Sequence, residues 1–406
     1  MNLVRIALRN LGRTKSRTAL SLVSIAVGVM VVILFKGVID GVWDQLVTGT
    51  IRFSSGHVRI VDPEYLLKEQ LMSLYYPVDA DVANQAASVS GVVAASPRIR
   101  FSGLISRENQ ADGVMVTGFD PRREEPVSQM SRYLTGRYME QGAREAVVGG
   151  SLLRKQGLTV GDRFTLVFNT AFGSMRGYTL EIVGRVDSGY AWLDEQLFVD
   201  LGLAQAMLEM PGEATEVLVM GSSQRETKAL VSALQAGISD RGELSFVPWH
   251  SASEMMELMS LAQVIYFVIY LVVLALAAFV VVNTMVMIVA ERIREIGMLA
   301  ALGLSGGQIL RLFLYEGTVL GVLGSLVGGL LGGVLLRVLS TTGITMDGMD
   351  TIDPQYFITP TIYPVFSWTL LLLMMGAGVV VTMAAVWLPA RRAARLEPTQ
   401  ALRGEV

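Results

Sequence analysis

Residues able to do chemistry are few in this 406-residue chain: it has two histidines, His57 and His250, and no cysteine. That removes a thiol nucleophile, a disulfide framework and a histidine metal cluster. A pairing of His57 or His250 with a serine and an acid in space stays open, but no strand-turn-helix G-x-S-x-G motif surrounds any serine. GGSLLRKQG, 149–157, has the glycines of a phosphate loop without its Gly-Lys-Ser/Thr ending, so no nucleotide site is read in this chain. The densest mixed charge beside an apolar block is Glu291-Arg-Ile-Arg-Glu295. Its chemistry is ion pairing and docking. Glu291 and Glu295 stand one helical turn apart, Arg292 and Arg294 flank them, and Ile293, Ile296, Ala300 and Leu304 keep an apolar stripe. Gly303 reads as the stop, and Ser305 with Gln308 as a capping box that opens the next helix.

The elements that must position this charged helix are membrane-length. The chain is 52% hydrophobic and 17% charged, against about 25% charged in a soluble domain. Residues 18–35 carry no charge, and the run exceeds a signal-peptide core of about 7–15 residues. It is read as a retained span that continues as an amphipathic stalk, with Phe35, Val38, Ile39, Val42 and Leu46 on one face and Lys36, Asp40 and Asp44 on the other. A second run is uncharged over 258–290, and Ser251 with Glu254 reads as a capping box starting its helix near Ala252. At 1.5 Å per residue that helix measures about 57 Å against a hydrocarbon core of about 30 Å, so it too should project as a stalk.

The third run, 312–336, places Gly317, Gly321, Gly324, Gly328 and Gly332 in one ridge suited to close helix packing. Glu316 within it needs a partner, a proton or the interface. The fourth run is 366–388, followed by Pro389 and the arginines Arg391, Arg392, Arg395 and Arg403. Basic residues crowd the N-terminus, the 291 loop and the C-terminus, whereas 340–364 has none and carries Asp347, Asp350 and Asp353. The positive-inside rule then puts both termini and the 291 loop in the cytoplasm and residues 41–257 outside.

That outer region holds 19 Lys/Arg against 27 Asp/Glu and is long enough for its own core. GHVRIV, RFTLVF, GYTLEIVGRV and EVLVMG read as strands, as do 92–95, 98–105 and 113–118. REAVVGGSLLRKQGL reads as a strand passing into a helix, and DADVANQAASVSG and SQRETKALVSALQAGIS as helices. Strands and helices mix without a doubly wound order, so the domain is α+β, with the run after Asp120 read as an inserted lobe. The 21 methionines are read as adaptable packing.

ERIREIGMLAALGLSGGQILRLFLYEG closely resembles the signature after the second span of the FtsX-like permease superfamily. ALRNLGRTKSRTALSLVSIAVGV resembles that family's N-terminus, PARRAARLEPTQALR its C-terminal tail, and YLTGRYMEQGAREAVVGGSLLRKQGLTVGDRFTL the outer domain of MacB-type and lipoprotein-releasing permeases. The resemblance covers the whole chain. It implies a cytoplasmic N-terminus 1–17, a first transmembrane helix 18–40, a periplasmic α+β domain with stalk helices 41–257 and a second transmembrane helix 258–290. A cytoplasmic coupling helix 291–308, a third transmembrane helix 309–337, a periplasmic segment 338–365, a fourth helix 366–389 and a cytoplasmic tail 390–406 complete it.

The resemblance implies a non-catalytic permease of the bacterial inner membrane that works as a dimer by mechanotransmission. ATP and Mg are bound on a separate ABC ATPase subunit, and this chain binds no cofactor. Coupling falls to Glu291, Arg292, Ile293, Glu295, Ile296 and Leu299. An apolar substrate cavity between two copies, or a copy and a paralogue, would be lined by Val31, Leu34, Ile265, Ile269 and Val272. Asn283 would bond helix to helix. Phe168, Phe172, Met175 and Arg176 occupy the place of the carrier-binding hairpin, although 168–176 is shorter than that of the family and has no proline. Because MacB proteins carry a fused ATPase and this chain opens at the membrane, release of lipoproteins or lipids to a periplasmic carrier is the leading expectation. Drug, peptide or toxin export with an outer-membrane partner, and regulation of a periplasmic partner without transport, are the alternatives. Nucleic acid is not an expected partner.

Overall fold

A computed structural model describes residues 7, 9, 15–68, 72–107, 110–238, 244–251, 254–345 and 361–395. It divides into a helical unit (Met1–Trp43, Leu261–Ile344, Thr361–Val406) and an outer unit (Asp44–Ser260, Thr345–Pro360).

In the helical unit, four helices among the described residues are long and apolar enough to cross a membrane. The first runs Lys15–Gly49, the second Glu254–Glu291, the third Gly306–Thr342 and the fourth Trp368–Ala393. Residues 252–253, the expected start of the second helix, lie outside the described residues, between Ser251 and Glu254 of the expected capping box. The first helix, 35 residues long, measures about 52 Å and so outruns a hydrocarbon core of about 30 Å. Its stalk face carries a Lys36–Asp40 ion pair. The third helix opens on the expected capping box of Ser305 and Gln308.

Glycines let the first, third and fourth helices meet. A Cβ at Gly324 would come 2.7 Å from Ile25 Cβ, and one at Gly332 3.2 Å from Met30 Cα. At Gly317 it would come 2.7 Å from Val386, and at Gly321 3.1 Å from Thr382. The ridge therefore faces the fourth helix in its N-terminal part and the first helix in its C-terminal part. The second helix joins the helical core through Val281, Met285 and Ile288 near its end and leaves most of its remaining apolar surface exposed.

The outer unit is built on a ten-stranded sheet. Its strands are β1 (Val58–Val61), β2 (Val92–Arg107), β3 (Gln110–Phe119), β4 (Leu134–Gly136), β5 (Glu145–Gly149), β6 (Arg163–Asn169), β7 (Met175–Val186), β8 (Leu197–Asp200), β9 (Glu216–Gly221) and β10 (Ser245–Pro248). The order is β10-β1-β9-β2-β3-β8-β5-β7-β4, with β6 pairing β2 and β7. Most pairs are antiparallel; β3–β8 and β5–β7 are parallel, as an α+β domain allows. Ile99, Phe101, Val116, Leu166, Leu180 and Val217 belong to the main core.

The run after Asp120 is not a separate lobe. β4, β5, β7 and β8 join the common sheet, and what is distinct is a second apolar cluster around Phe53, Phe119, Val147, Tyr190 and Phe198. The two strands read at 92–95 and 98–105 are one, because Pro97 lies within β2 opposite Val217 without ending the pairing.

Candidate functional site: coupling helix, membrane faces and stalk joint

The second helix ends at Glu291. Arg292 departs from helical geometry (φ −105°, ψ 13°), and a new helix runs Ile293–Ala301. Gly303 then takes φ +97°, a left-handed turn that glycine adopts without a Cβ penalty. Arg292 organises the corner: its Nε donates to Glu295 Oε2 at 3.0 Å, and its Nη1 lies 3.5 Å from Glu316 Oε1. The buried carboxylate of the third helix is thus ion-paired, which answers the cost of placing it there.

Ile296, expected on the docking face, points inward instead. Ile296 is 4% exposed and packs with Ile288, Ile309 and Phe313; Ile293 and Leu299 are half-buried. The helix must seal its own membrane unit before it can offer anything to another protein. What it presents outward is Glu291, Arg294, Met298 and Leu302, the last 80% exposed. The last three recur every four residues and form one line along the helix.

Val31, Ile265, Ile269 and Val272 are exposed and Leu34 is half-buried. Phe35 packs edge-on against Tyr266 and Tyr270, with centroids 6.3 and 5.8 Å apart, and a Cβ at Gly28 would come 2.7 Å from Ala277 Cβ. One chain leaves these aliphatic faces open. Asn283 is exposed on the same second helix.

β6 and β7 form the expected hairpin, paired from Arg163–Glu181 to Asn169–Met175. Phe168 is not available at its tip: it is 3% exposed and packs on Phe101 and Tyr178. Strand alternation turns it inward. Phe172 and Met175 are exposed, and Arg176 pairs with Glu209 at 2.6 Å.

A site that sequence reading missed lies where the first stalk enters the sheet. The helix widens into a π-helical turn at Thr50–Ser55, and Gly56 (φ +63°) turns the chain into β1. Arg98 Nη1 donates to Phe53 O at 2.6 Å, and Arg100 Nη2 donates to Phe53 O and Ser54 O at 3.3 Å. Arg98 also pairs with Glu124 at 2.5 Å. Glu216 accepts from Arg59 Nε at 2.6 Å and lies 3.0 Å from Arg100 Nε. All five charged side chains are buried. Burial alone would raise the Glu216 carboxyl, but Arg100, Arg59 and Arg98 outweigh it and hold it below the usual range. The available signal was PRIRF, which puts Arg98 and Arg100 on one strand face and Ile99 and Phe101 on the other.

His57 belongs to the same joint. Its Nδ1 accepts from Gly221 N at 2.9 Å, and its carbonyl accepts from Trp249 N, just after β10. Burial lowers the imidazole pKa, and only the neutral ring can accept that bond. With the folded pKa depressed, the unfolded chain binds the proton more readily. The stabilisation is therefore fully present above about pH 6.5 and is lost as pH falls from there through the lower, folded value. Acidification from about pH 7 to about pH 5.5 should lower the denaturation midpoint of the outer domain, and His57→Gln should remove that slope. An equal slope in both proteins would refute the assignment.

A four-span unit, an α+β domain between the first two spans and a charged helix between the second and third are the layout of a multi-pass membrane protein with a large domain beside the membrane. Residues 18–236, more than half of the chain, match the model of the MacB-like periplasmic core domain, and residues 267–398 match the FtsX-like permease C-terminal model. The chain belongs to this family of ABC-transporter permeases, multi-pass proteins of the bacterial inner membrane.

Among its relatives, the lipoprotein-releasing system transmembrane protein LolC of Xylella fastidiosa (strain 9a5c) is 27% identical over 330 residues, covering 77% of this chain and 78% of that one. LolC of Neisseria meningitidis serogroup B is 23% identical over 407 residues, covering 96% and 94%. The crystal structure of the periplasmic region of MacB from Actinobacillus actinomycetemcomitans aligns with 49% of this chain and 92% of that one, at 15% identity and TM-score 0.36.

Proposed function

We propose that this chain is the permease subunit of a mechanotransmission transporter that takes lipoproteins or lipids from the inner membrane and passes them to a periplasmic carrier. A separate ABC ATPase binds ATP and Mg and drives it, and a second permease, copy or paralogue, completes it. Both termini and the Ile293–Ala301 helix face the cytoplasm. The observation that carries the reading is the open aliphatic surface of the first and second helices. A second permease laid against it would close an apolar chamber suited to acyl chains. Asn283 on that surface supports a protein neighbour, since a polar amide facing hydrocarbon is unfavourable. The kinship with LolC proteins supports the substrate class. Phe172 and Met175, exposed on the β6–β7 hairpin, are the residues offered to a carrier.

Photo-crosslinkers at Val31 and Ile269 should capture acylated protein in cells. Capture of an unlipidated peptide or a drug would move the function to export, the reading favoured by the MacB-like core domain. ATPase docking is assigned to Arg294, Met298 and Leu302, together with Glu291. Met298→Asp with Leu302→Asp should weaken ATPase co-purification about 30-fold, as the loss of an apolar hot spot of about 2 kcal/mol does. Ile296→Asp should instead destabilise the permease itself. Normal ATPase recovery with the double variant would sink this docking face.

A further inference from the structure

The end of the first stalk is held by charge. Arg59, Arg98 and Arg100 face Glu124 and Glu216, so the buried cluster carries one more cation than anion. The helix itself answers the surplus. Its last carbonyls, with no intrahelical partner and at the negative end of the helix dipole, lie against the guanidinium groups. Arg98 Nη2 reaches Arg52 O at 3.4 Å, and the two arginines share Phe53 O. The clamp extends into three elements. Arg98 and Arg100 sit on β2, Arg98 is tied to Glu124 on the Pro121–Ser128 helix, and Arg100 meets Glu216 on β9. The stalk end is π-helical, a rare geometry frequent at functional sites. The covalent route into the sheet is weaker, a single turn at Gly56 leading into the four-residue β1.

We propose that Arg98 and Arg100 are positioning residues that carry displacement of the first stalk into the outer domain. They grip its terminal carbonyls so that β2, β9 and the Pro121–Ser128 helix move with it. This inference rests on the mechanotransmission reading. A single-chain turn would let the stalk swivel; a guanidinium fork on two successive carbonyls fixes both its axial position and its rotation.

The test uses the full chain in nanodiscs with the ATPase that co-purifies with it, with and without ATP–vanadate. Spin labels at exposed Asp44 and Val160 report stalk against outer domain, and a pair at Val160 and Leu388 reports outer domain against membrane. In the native protein the second distance should change with nucleotide while the first stays fixed. Arg100→Lys, which keeps the charge but cannot hold Phe53 O and Ser54 O while it pairs with Glu216, should broaden the Asp44–Val160 distance and make it nucleotide-dependent. Substrate release should fall about tenfold while ATP hydrolysis persists. An unmoved Val160–Leu388 distance in the native protein overturns the mechanical reading and the clamp with it. Movement there, with Arg100→Lys indistinguishable from native, overturns the clamp alone. A measurement that needs no variant guards against misfolding: amides 52–57 should keep the same hydrogen-exchange protection in both nucleotide states, and loss of it on ATP binding also overturns the clamp.

Discussion

Gly328→Leu should prevent stable assembly of the helical unit. A Cβ at Gly328 would lie 2.9 Å from Ala26 Cα and 3.0 Å from its carbonyl carbon. Those are backbone atoms, so no rotamer change relieves the contact, and the first and third helices must separate. Separation would also loosen Gly324 on Ile25 and Gly332 on Met30 and Ile33, because the three glycines lie along one contact. Overpacking by even a methylene or two costs about 1–3 kcal/mol, and a leucine against backbone should exceed that range. Gly376→Leu is the control: nothing lies within 4 Å of a Cβ there, and the substitution should leave the melting temperature in detergent nearly unchanged. Equal melting temperatures and elution profiles for the two variants would show that this contact does not hold the unit together.

Those glycines were legible because membrane helix packing leaves a local, periodic trace. The four spans, the Ser305 capping box, the Gly303 stop and the hairpin strands were legible for the same reason: each is written within about ten to twenty consecutive residues. Direction was not. An apolar stripe on the 293–301 helix says that one side is covered, not by what, and Ile296 turned out to serve the chain's own core. Phe168 failed in the same way, since its inward side depends on a strand register fixed by distant β2. The stalk clamp was hidden more deeply. It joins residues near 53, 59, 98, 124 and 216, brought together only by the sheet order, and arginine and glutamate read by type as surface residues. Alternation in PRIRF marked a polar strand face, but a solvated face and a face closed by a helix end look alike in one sequence.

The buried charges should make Glu216→Gln one of the most damaging polar substitutions in the outer domain. The Glu216 side chain is 0% exposed, with Arg59 at 1% and Arg100 at 9%. Removing its charge leaves two guanidinium groups facing each other out of water, with Arg98 close by. Breaking a buried pair from one side costs about 3–5 kcal/mol, a large share of the roughly 5–15 kcal/mol that holds a domain folded. Glu181→Gln is the comparison. Its bond to Arg163 is 2.8 Å long, but both side chains are exposed, and such a pair contributes about 0–1 kcal/mol. Acid should bring the two proteins together. Because the folded Glu216 carboxyl sits below the usual range, its contribution is complete above about pH 4.3 and disappears only as pH falls through the lower, folded value. The native domain should therefore keep this stabilisation to a lower pH than an ordinary carboxylate allows, and Glu216→Gln should lack that acid-dependent loss. Hydrogen exchange of β1 and β9 amides across a denaturant series, on the full chain in detergent, reads both effects. A Glu216→Gln protein within about 1 kcal/mol of Glu181→Gln would mean that water or a neighbour replaces the lost charge, and that the cluster does not hold the joint.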